Sequence, residues 1–255
     1  MLRLYRRNEA LIIGTASLVA IGLFWQFSVD AGLIKMFFVS KPTAVAGNAL
    51  EQFDNGELVA NLVATLISFA MALGVATAVG VGLGVAAGWF ADVEAALEPF
   101  IWFKYSAPTI AFYPLFVAWL GYGRPTIVAI GMLFALTPIY ANTLSGIKNV
   151  DKDLVRAACS FGARPYDVFL RVALPGSVPI VVAGLRLGVG RALTGVVLAE
   201  LFGASAGLGY SIAYHAQLLE TTPMMVSIVT IILLGVILTQ VLSWLERKTD
   251  SWRVT

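Results

Sequence analysis

One polar stretch decides the fold, RAACSFGARPYDVFLRVALP, which runs from Arg156 to Pro175. It holds three arginines, one aspartate and two prolines. The rest of the chain is oily, since 59% of the 255 residues are hydrophobic and 13% are charged. That is about half the charged share of a typical soluble domain. A polar segment of this length predicts a structure that projects from lipid and does more than join two spans.

The apolar runs on either side predict an all-α polytopic membrane protein. Several of them reach the roughly 20 residues that cross a bilayer, and a soluble globule would leave too much of their surface uncovered. We predict one membrane domain over 1–255 with a polar loop at 147–175. The predicted spans are about 10–29, 59–89, 97–120, 125–146, 177–201 and 223–245.

Lys and Arg predict the orientation, because they are enriched in short cytoplasmic loops. With the N-terminus inside, the cytoplasmic segments hold eleven of them and the external segments three, so both termini are predicted to be cytoplasmic. An uncleaved first span fits the basic start better than a signal peptide, because the apolar run continues to about Trp25. The eleven are Arg3, Arg6, Arg7, Lys148, Lys152, Arg156, Arg164, Arg171, Arg247, Lys248 and Arg253.

The polar loop is predicted to form a helix, a turn and a second helix. Asp151 and Asp153 suit the start of the first helix, where carboxylates meet free amide groups. Its apolar residues fall on one face, at Leu154, Ala157, Ala158 and Phe161. Gly162 ends this helix, and Cys159 is predicted to pack on its inner side. The patterned surface, rimmed with arginines, suits a soluble partner.

The second helix of the loop is predicted to begin at Pro165, with Asp167 in its first turn. Leu174-Pro175 is predicted to close the loop before the fifth span. The apolar side of this helix is formed by Val168, Phe169 and Val172.

Glycines predict close packing of the second and fifth spans, because glycine at four-residue spacing lets helix backbones approach in lipid. A nucleotide-binding loop is excluded at Gly80–Gly84, since that run lies inside an apolar helix with no strand before it. The chain also has no GxxxxGK[ST] run and is not expected to bind ATP. The spaced glycines are Gly80, Gly84, Gly88, Gly184 and Gly188.

The external loop 30–58 is predicted to be either a short interfacial helix or a plain loop. Pro42 suits a first helical turn, and Asp54-Asn55-Gly56 is a turn signal. Val45, Leu50 and Phe53 would line one side of such a helix.

The third span is predicted either to line a pathway or to be a kinked packing helix, because Pro108 and Pro114 interrupt its hydrogen bonding. Arg191, near the membrane middle, either attracts an anionic solute or pairs with a partner chain. Lys104 either lines the pathway or extends its ammonium to the inner surface. The candidate pathway residues are Lys104, Tyr105, Thr109, Tyr113 and Arg191.

Other polar residues are predicted to be structural. Glu200 is expected to be a capped or interface carboxylate, and His215 a satisfied polar residue, with a gate or a partner contact as the alternative. With one cysteine and one histidine, the chain has no material for a disulfide, a His triad or a Cys/His metal cluster. No catalytic or metal-ligating residue is predicted.

The polar stretch resembles the "EAA" loop of the integral membrane subunits of bacterial ABC importers. That pattern is Glu-Ala-Ala, three residues, Gly, nine residues, Ile, one residue and Leu-Pro. Ala157-Ala158, Gly162, Val172 and Leu174-Pro175 reproduce the complete spacing. Arg156 stands where the family has Glu, which reverses a charge at a position that contacts the ATPase, and Val172 stands where it has Ile.

Four further segments look like the nitrate/sulfonate/taurine branch of these permeases: SKPTAVAGNALEQFDNGEL and the residues 184–192, 199–210 and 245–248. The resemblance implies the type I importer permease fold and a homodimer in the bacterial cytoplasmic membrane. It also implies two cytoplasmic ATPase subunits, which bind ATP and Mg²⁺, and a periplasmic or lipid-anchored solute-binding protein. No cofactor in this chain and no nucleic-acid partner are implied.

By resemblance, the coupling helices lie within 151–171 and dock into grooves on the ATPases. The residues implied in this coupling are Arg156, Ala157, Ala158, Phe161, Gly162, Leu174 and Pro175.

The predicted function is a non-catalytic permease subunit of an ATP-driven importer. Its solute is expected to be small and anionic, similar to nitrate, a sulfonate, taurine or an aromatic carboxylate. An ion-gradient-driven secondary transporter is the alternative, but it predicts two similar halves and paired acidic groups in the membrane. Besides Glu200, the predicted spans hold almost no carboxylates.

Overall fold

The computed structural model describes the backbone of residues 2–249 and the side chains of residues 13–244. The predicted basic residues at Arg3, Arg6, Arg7, Arg247, Lys248 and Arg253 therefore lie outside the described side chains. Five helical stretches are long and apolar enough to cross a membrane, and a shorter apolar stretch covers Thr109–Leu120. The α-helices are α1 (Leu2–Asp30), α2 (Pro42–Asp54), α3 (Glu57–Trp89), α4 (Ala91–Ser106), α5 (Tyr113–Leu120), α6 (Arg124–Lys148), α7 (Lys152–Ser160), α8 (Pro165–Val168), α9 (Leu174–Gly203), α10 (Leu208–Gln217) and α11 (Thr221–Thr249).

The third predicted span is a broken helix. Helix α4 ends at Ser106, a 3-10 turn covers Thr109–Phe112, and α5 continues to Leu120. Ala107 adopts an extended backbone with ψ 135°, because the ring of Pro108 disfavours helical geometry in the residue before it. The proline thus divides the span rather than only bending it.

The core is built around α6, which lies between α3 and α9. A Cβ atom added at Gly84 would lie 2.6 Å from the Cβ of Thr143, and one at Gly88 would lie 2.6 Å from the Cβ of Ile147. On the other side of α6, a Cβ at Gly188 would lie 2.7 Å from Cγ1 of Ile139. Helix contacts this close exclude any side chain at these positions, as the glycine spacing predicts.

Of the two structures predicted for residues 30–58, a short helix or a plain loop, the protein has the helix, since α2 begins at Pro42 and ends at Asp54. The side chains predicted to line one side of α2 do not share an environment. Val45 is buried with Gln52, whereas Leu50 and Phe53 are exposed. The buried face of α2 is formed by Val45 and Gln52, which lie seven residues, or two helical turns, apart. Leu50 and Phe53 lie off this face.

Helix α10 returns along α3 and α9 and is held there by a buried carboxylate. Glu200 is 1% exposed and accepts hydrogen bonds from the Thr65 hydroxyl at 2.9 and 3.0 Å and from the backbone N–H of Gly209 at 2.9 Å. The backbone N–H of Leu208 donates to the Thr65 oxygen. Glu200 therefore caps the N-terminus of α10, which is a structural role for this carboxylate.

His215, near the end of α10, is buried between two carboxylates. Its Nδ1 lies 2.8 Å from Glu220 and its Nε2 lies 3.3 Å from Glu57. The ring joins α10 to the start of α3, so the structure supports the satisfied polar residue over the gate.

Candidate functional site

The polar segment, defined as residues 151–173, begins with a capped helix. Asp151 is the N-cap of α7, and its carboxylate accepts a hydrogen bond from the backbone N–H of Asp153 at 2.8 Å. Arg156 forms an ion pair with Asp153 at 2.5 Å, and both side chains are more than three-quarters exposed. Arg156, which stands where the family has Glu, therefore forms its ion pair with a carboxylate of the same helix.

The turn after α7 has the hydrogen bonds of a Schellman motif. The Gly162 N–H donates to the carbonyl of Cys159 at 2.9 Å, and the Ala163 N–H donates to the carbonyl of Ala158 at 3.1 Å. Gly162 has φ +79°, a conformation that side chains disfavour. The glycine therefore ends α7 as predicted and sets the angle at which the segment turns.

The segment exposes large apolar side chains. Phe161 at the turn is 92% exposed, Tyr166 is 70% exposed and Leu154 is 56% exposed. Ala157 is also exposed, while Ala158 is half-buried. Isolated apolar residues on a surface need no explanation, but three large ones within one short polar segment make it a candidate interaction surface.

Cys159 is exposed on α7, so the prediction that it packs inward is wrong. The inner side of the segment is instead formed by its second half. Val168 and Ala173 are buried, and the ring of Phe169 packs on Trp89 with centroids 4.7 Å apart. This contact joins the segment to the end of α3.

The prediction that Leu174-Pro175 closes the segment is wrong, because helical structure continues through these two residues into α9. Residues Phe169–Ala173 form a π-helical turn that joins α8 to α9. The Leu174 N–H bonds to the Phe169 carbonyl five residues back, and Pro175, which has no N–H, sits in the first turn after it. Residues 165–203 therefore form one continuous helical unit, and Leu174 and Pro175 lie inside it.

The five candidate pathway residues do not share one environment. Tyr105 is 72% exposed, and Thr109 is half-buried in the 3-10 turn. Tyr113 is buried in the core, where its ring packs against Phe202. Its hydroxyl has no hydrogen-bond partner among the described residues. The structure thus places Tyr113 in the packing of the bundle rather than on an open face.

Lys104 and Arg191 lie on different helices, α4 and α9. The ammonium of Lys104 donates a hydrogen bond to the Thr137 hydroxyl on α6, which is a contact within the helix bundle. Arg191 is exposed on α9.

Sequence reasoning missed Asn61 and Thr65, which bind the turn between α9 and α10 (residues 204–217 with α10, called here the α10 hairpin). The Asn61 side chain accepts a hydrogen bond from the Gly207 N–H at 2.9 Å, one helical turn before Thr65 on α3. The available signal was a pair of polar residues four positions apart in an otherwise apolar span.

Comparison with known proteins places these features in a wider context. Residues 78–251 match the family model described as "Binding-protein-dependent transport system inner membrane component". The putative aliphatic sulfonates transport permease protein SsuC of Bacillus subtilis is 29% identical over 229 residues, covering 90% of this chain and 83% of that protein. The taurine transport system permease protein TauC of Escherichia coli is 32% identical over 160 residues, covering 63% and 60%.

A solved structure supports the fold. The chain is similar to a chain of the MetNI methionine ABC transporter in an inward-facing conformation, with a TM-score of 0.66 and 17% sequence identity. The match covers 78% of this chain and 96% of that chain. Identity this low carries the fold alone, which is the type I importer permease fold predicted from the polar stretch.

Proposed function

This chain belongs to the family of binding-protein-dependent transport system inner membrane components, and from that premise we propose how it works as the permease subunit of an ABC importer. The polar segment is the docking point for a cytoplasmic ATPase. When two ATPase subunits close around ATP and Mg²⁺, the segment moves with them. Because residues 165–203 are one helical unit, α9 moves as well and alternates the access of the pathway.

One observation carries this proposal, the 92% exposure of Phe161 at a defined turn. A phenylalanine that buries its ring in a partner's groove gains roughly 1.5–3 kcal/mol. Its backbone position is held by the two hydrogen bonds of the Schellman motif. The contact with Trp89 transmits displacement of the segment to α3 as well.

The assembly is a homodimer of this chain with two ATPase subunits and an external solute-binding protein. A second copy is favoured by the exposed face of α9, which carries Arg191 about midway along the helix. An arginine that faces lipid at the bilayer centre costs at least about 2.5–3.5 kcal/mol. A second copy across this face would exclude lipid from it and enclose a pathway between the two subunits.

The solute is a small anion that carries a sulfonate or a carboxylate. SsuC and TauC, by their names, transport aliphatic sulfonates and taurine. Lys104 and Arg191 are cations within the predicted spans, and positive charge along the pathway favours an anion. The external binding protein selects the solute, and the permease accepts what it delivers.

The polar segment and both termini lie in the cytoplasm of a bacterial cell, and the chain is a multi-pass protein of the cytoplasmic membrane. The excess of Lys and Arg in the predicted cytoplasmic segments, eleven against three, supports this orientation. The α10 hairpin then faces the solute-binding protein, at the opposite end of α9 from the polar segment.

The docking role is tested by replacing Phe161 in the assembled transporter. Phe161→Asp places a charge where the ATPase groove is apolar, so it should abolish retention of the ATPase on the purified permease and stop uptake. Phe161→Leu keeps an apolar side chain at the same position and should retain both. Full retention and uptake with Phe161→Asp would refute the docking role.

A second variant tests the turn itself. Gly162→Pro cannot adopt φ +79°, because the proline ring holds φ near −65°. It should turn the exposed ring away from its groove and reduce ATPase retention while the spans still assemble. Solute uptake that persists without ATPase, driven by an ion gradient, would instead favour a secondary transporter.

A further inference from the structure

We propose that Lys104 on α4 and Arg191 on α9 form one oxyanion-recognition pair, which binds the sulfonate or carboxylate group of the solute within the pathway. The inference rests on the proposed function, because it assumes that solute passes the exposed face of α9. It goes further in naming two residues from different helices, with Thr137 between them, as the element that selects for negative charge.

The three residues lie at similar depth. Lys104 is 13 residues beyond the start of α4 at Ala91, and Arg191 is 17 residues beyond the start of α9 at Leu174. At about 1.5 Å per residue these positions lie roughly 20 and 25 Å along their helices. Thr137 is 11 residues before the end of α6, or roughly 17 Å from it. All three positions therefore fall within a hydrocarbon core about 30 Å thick and differ in depth by roughly 8 Å.

The packing of α6 on α9 brings Arg191 level with Thr137. Gly188, one turn before Arg191, lies against Ile139, and Gly195, one turn after it, lies against Phe134. Arg191 thus stands between these two contacts, as Thr137 stands between Phe134 and Ile139 on α6. The Thr137 hydroxyl accepts the hydrogen bond from Lys104, so the Lys104 ammonium also reaches this level of α6.

Neither cation has a carboxylate partner among the described side chains, residues 13–244. Arg191 forms no hydrogen bond or ion pair there, and Lys104 bonds only to the Thr137 hydroxyl. Two of the three acids on α4 are engaged elsewhere, since Glu94 binds Lys148 at 2.5 Å and Glu98 accepts a hydrogen bond from the Trp102 indole at 3.2 Å. The third, Asp92, lies in the first turn of α4, at the opposite end of the helix from Lys104.

The buried carboxylate at the far end of α9 is also satisfied, because Glu200 accepts hydrogen bonds from Thr65 and Gly209. A second copy of the chain offers the same satisfied Glu200 at that level. A solute oxyanion would supply the opposite charge that both cations lack.

The two side chains suit the two demands of such a group. The planar guanidinium of Arg191 can donate two parallel hydrogen bonds to two oxygens of a sulfonate or carboxylate. The ammonium of Lys104 supplies a compact charge to a remaining oxygen.

The test measures anion binding to the purified permease–ATPase complex by ¹⁹F NMR, with trifluoromethanesulfonate as the probe and trifluoroethanol as the neutral control. The wild-type complex should broaden the sulfonate signal and not the alcohol signal. Lys104→Gln and Arg191→Gln should each weaken sulfonate binding roughly 10- to 100-fold, as expected for loss of a charged hydrogen bond. Lys104→Arg should retain most of the binding.

Lys35→Gln is the matched control, because it removes one exposed positive charge outside this face and should leave broadening unchanged. ATPase retention, measured in the same samples, separates the two proposals, since its loss from the wild type would count against the proposed function instead. Unchanged sulfonate binding in both Gln variants, or no broadening by the wild type, would overturn the pair. Loss of the dimer in Arg191→Gln would also overturn it and assign Arg191 to the subunit interface.

Discussion

The contact between Gly84 and α6 yields a prediction with a computable size. A Cβ added at Gly84 would lie 2.6 Å from the Cβ of Thr143 and 2.9 Å from the carbonyl oxygen of Tyr140. Carbon atoms in contact prefer about 3.5–4.0 Å, so α3 and α6 would have to separate by roughly 1 Å. Because a backbone carbonyl lies in the way, rotation of one side chain cannot relieve the contact. Overpacking of this kind costs about 1–3 kcal/mol.

Gly84→Ala should therefore lower the Tm of the purified protein in detergent by about 2–12 °C, at roughly 2–4 °C per kcal/mol for a chain of this size. Gly82 is the matched control, because it lies on the same helix with nothing within 4 Å of an added Cβ. Gly82→Ala should leave the Tm unchanged or raise it, since alanine is the better helix former. Equal Tm values for the two variants would refute the packing argument.

Three further predictions concern the polar segment and the α10 hairpin. Cys159 is the chain's one cysteine and is exposed, so a membrane-impermeant maleimide should label inside-out vesicles and not right-side-out ones, with ATPase binding giving protection. The reverse labelling would invert the orientation. Glu200→Ala should speed hydrogen exchange in α10 far more than Glu200→Gln, because it strands two buried donors at about 1–3 kcal/mol each. Arg156→Glu should change the Tm little, since like charges near Asp153 cost about 0.2–0.5 kcal/mol, but it should weaken ATPase retention; unchanged retention would mean that this position does not meet the ATPase.

The placement of the helices was largely readable from the sequence, because local chemistry determines it. Asp151 caps α7 and Gly162 ends it because each requirement involves only neighbouring backbone groups. The glycine spacing in α3 identified the packed face, because another helix backbone can approach closely only where the side chain is absent. The break at Pro108 was only partly predicted, because a proline can either bend a helix or divide it, and its neighbours decide which.

The errors came where a side chain's environment depends on distant residues. The prediction that Cys159 packs inward is wrong, because the inner side of the segment is formed by Val168, which is buried, and by Phe169, which packs on Trp89 of α3. The continuation of the segment through Pro175 depends on a π-helical turn, which no local pattern announced.

The sequence by itself determined that the chain is a bundle of apolar helices with a projecting polar segment, because span length, charge and glycine spacing act through nearest neighbours and the solvent. Only the tertiary structure decided which polar residues meet. Lys104 on α4 meets Thr137 on α6, and Thr65 on α3 meets Glu200 on α9. Their approach depends on how closely α3, α6 and α9 pack, and the sum of contacts along all three helices sets that distance.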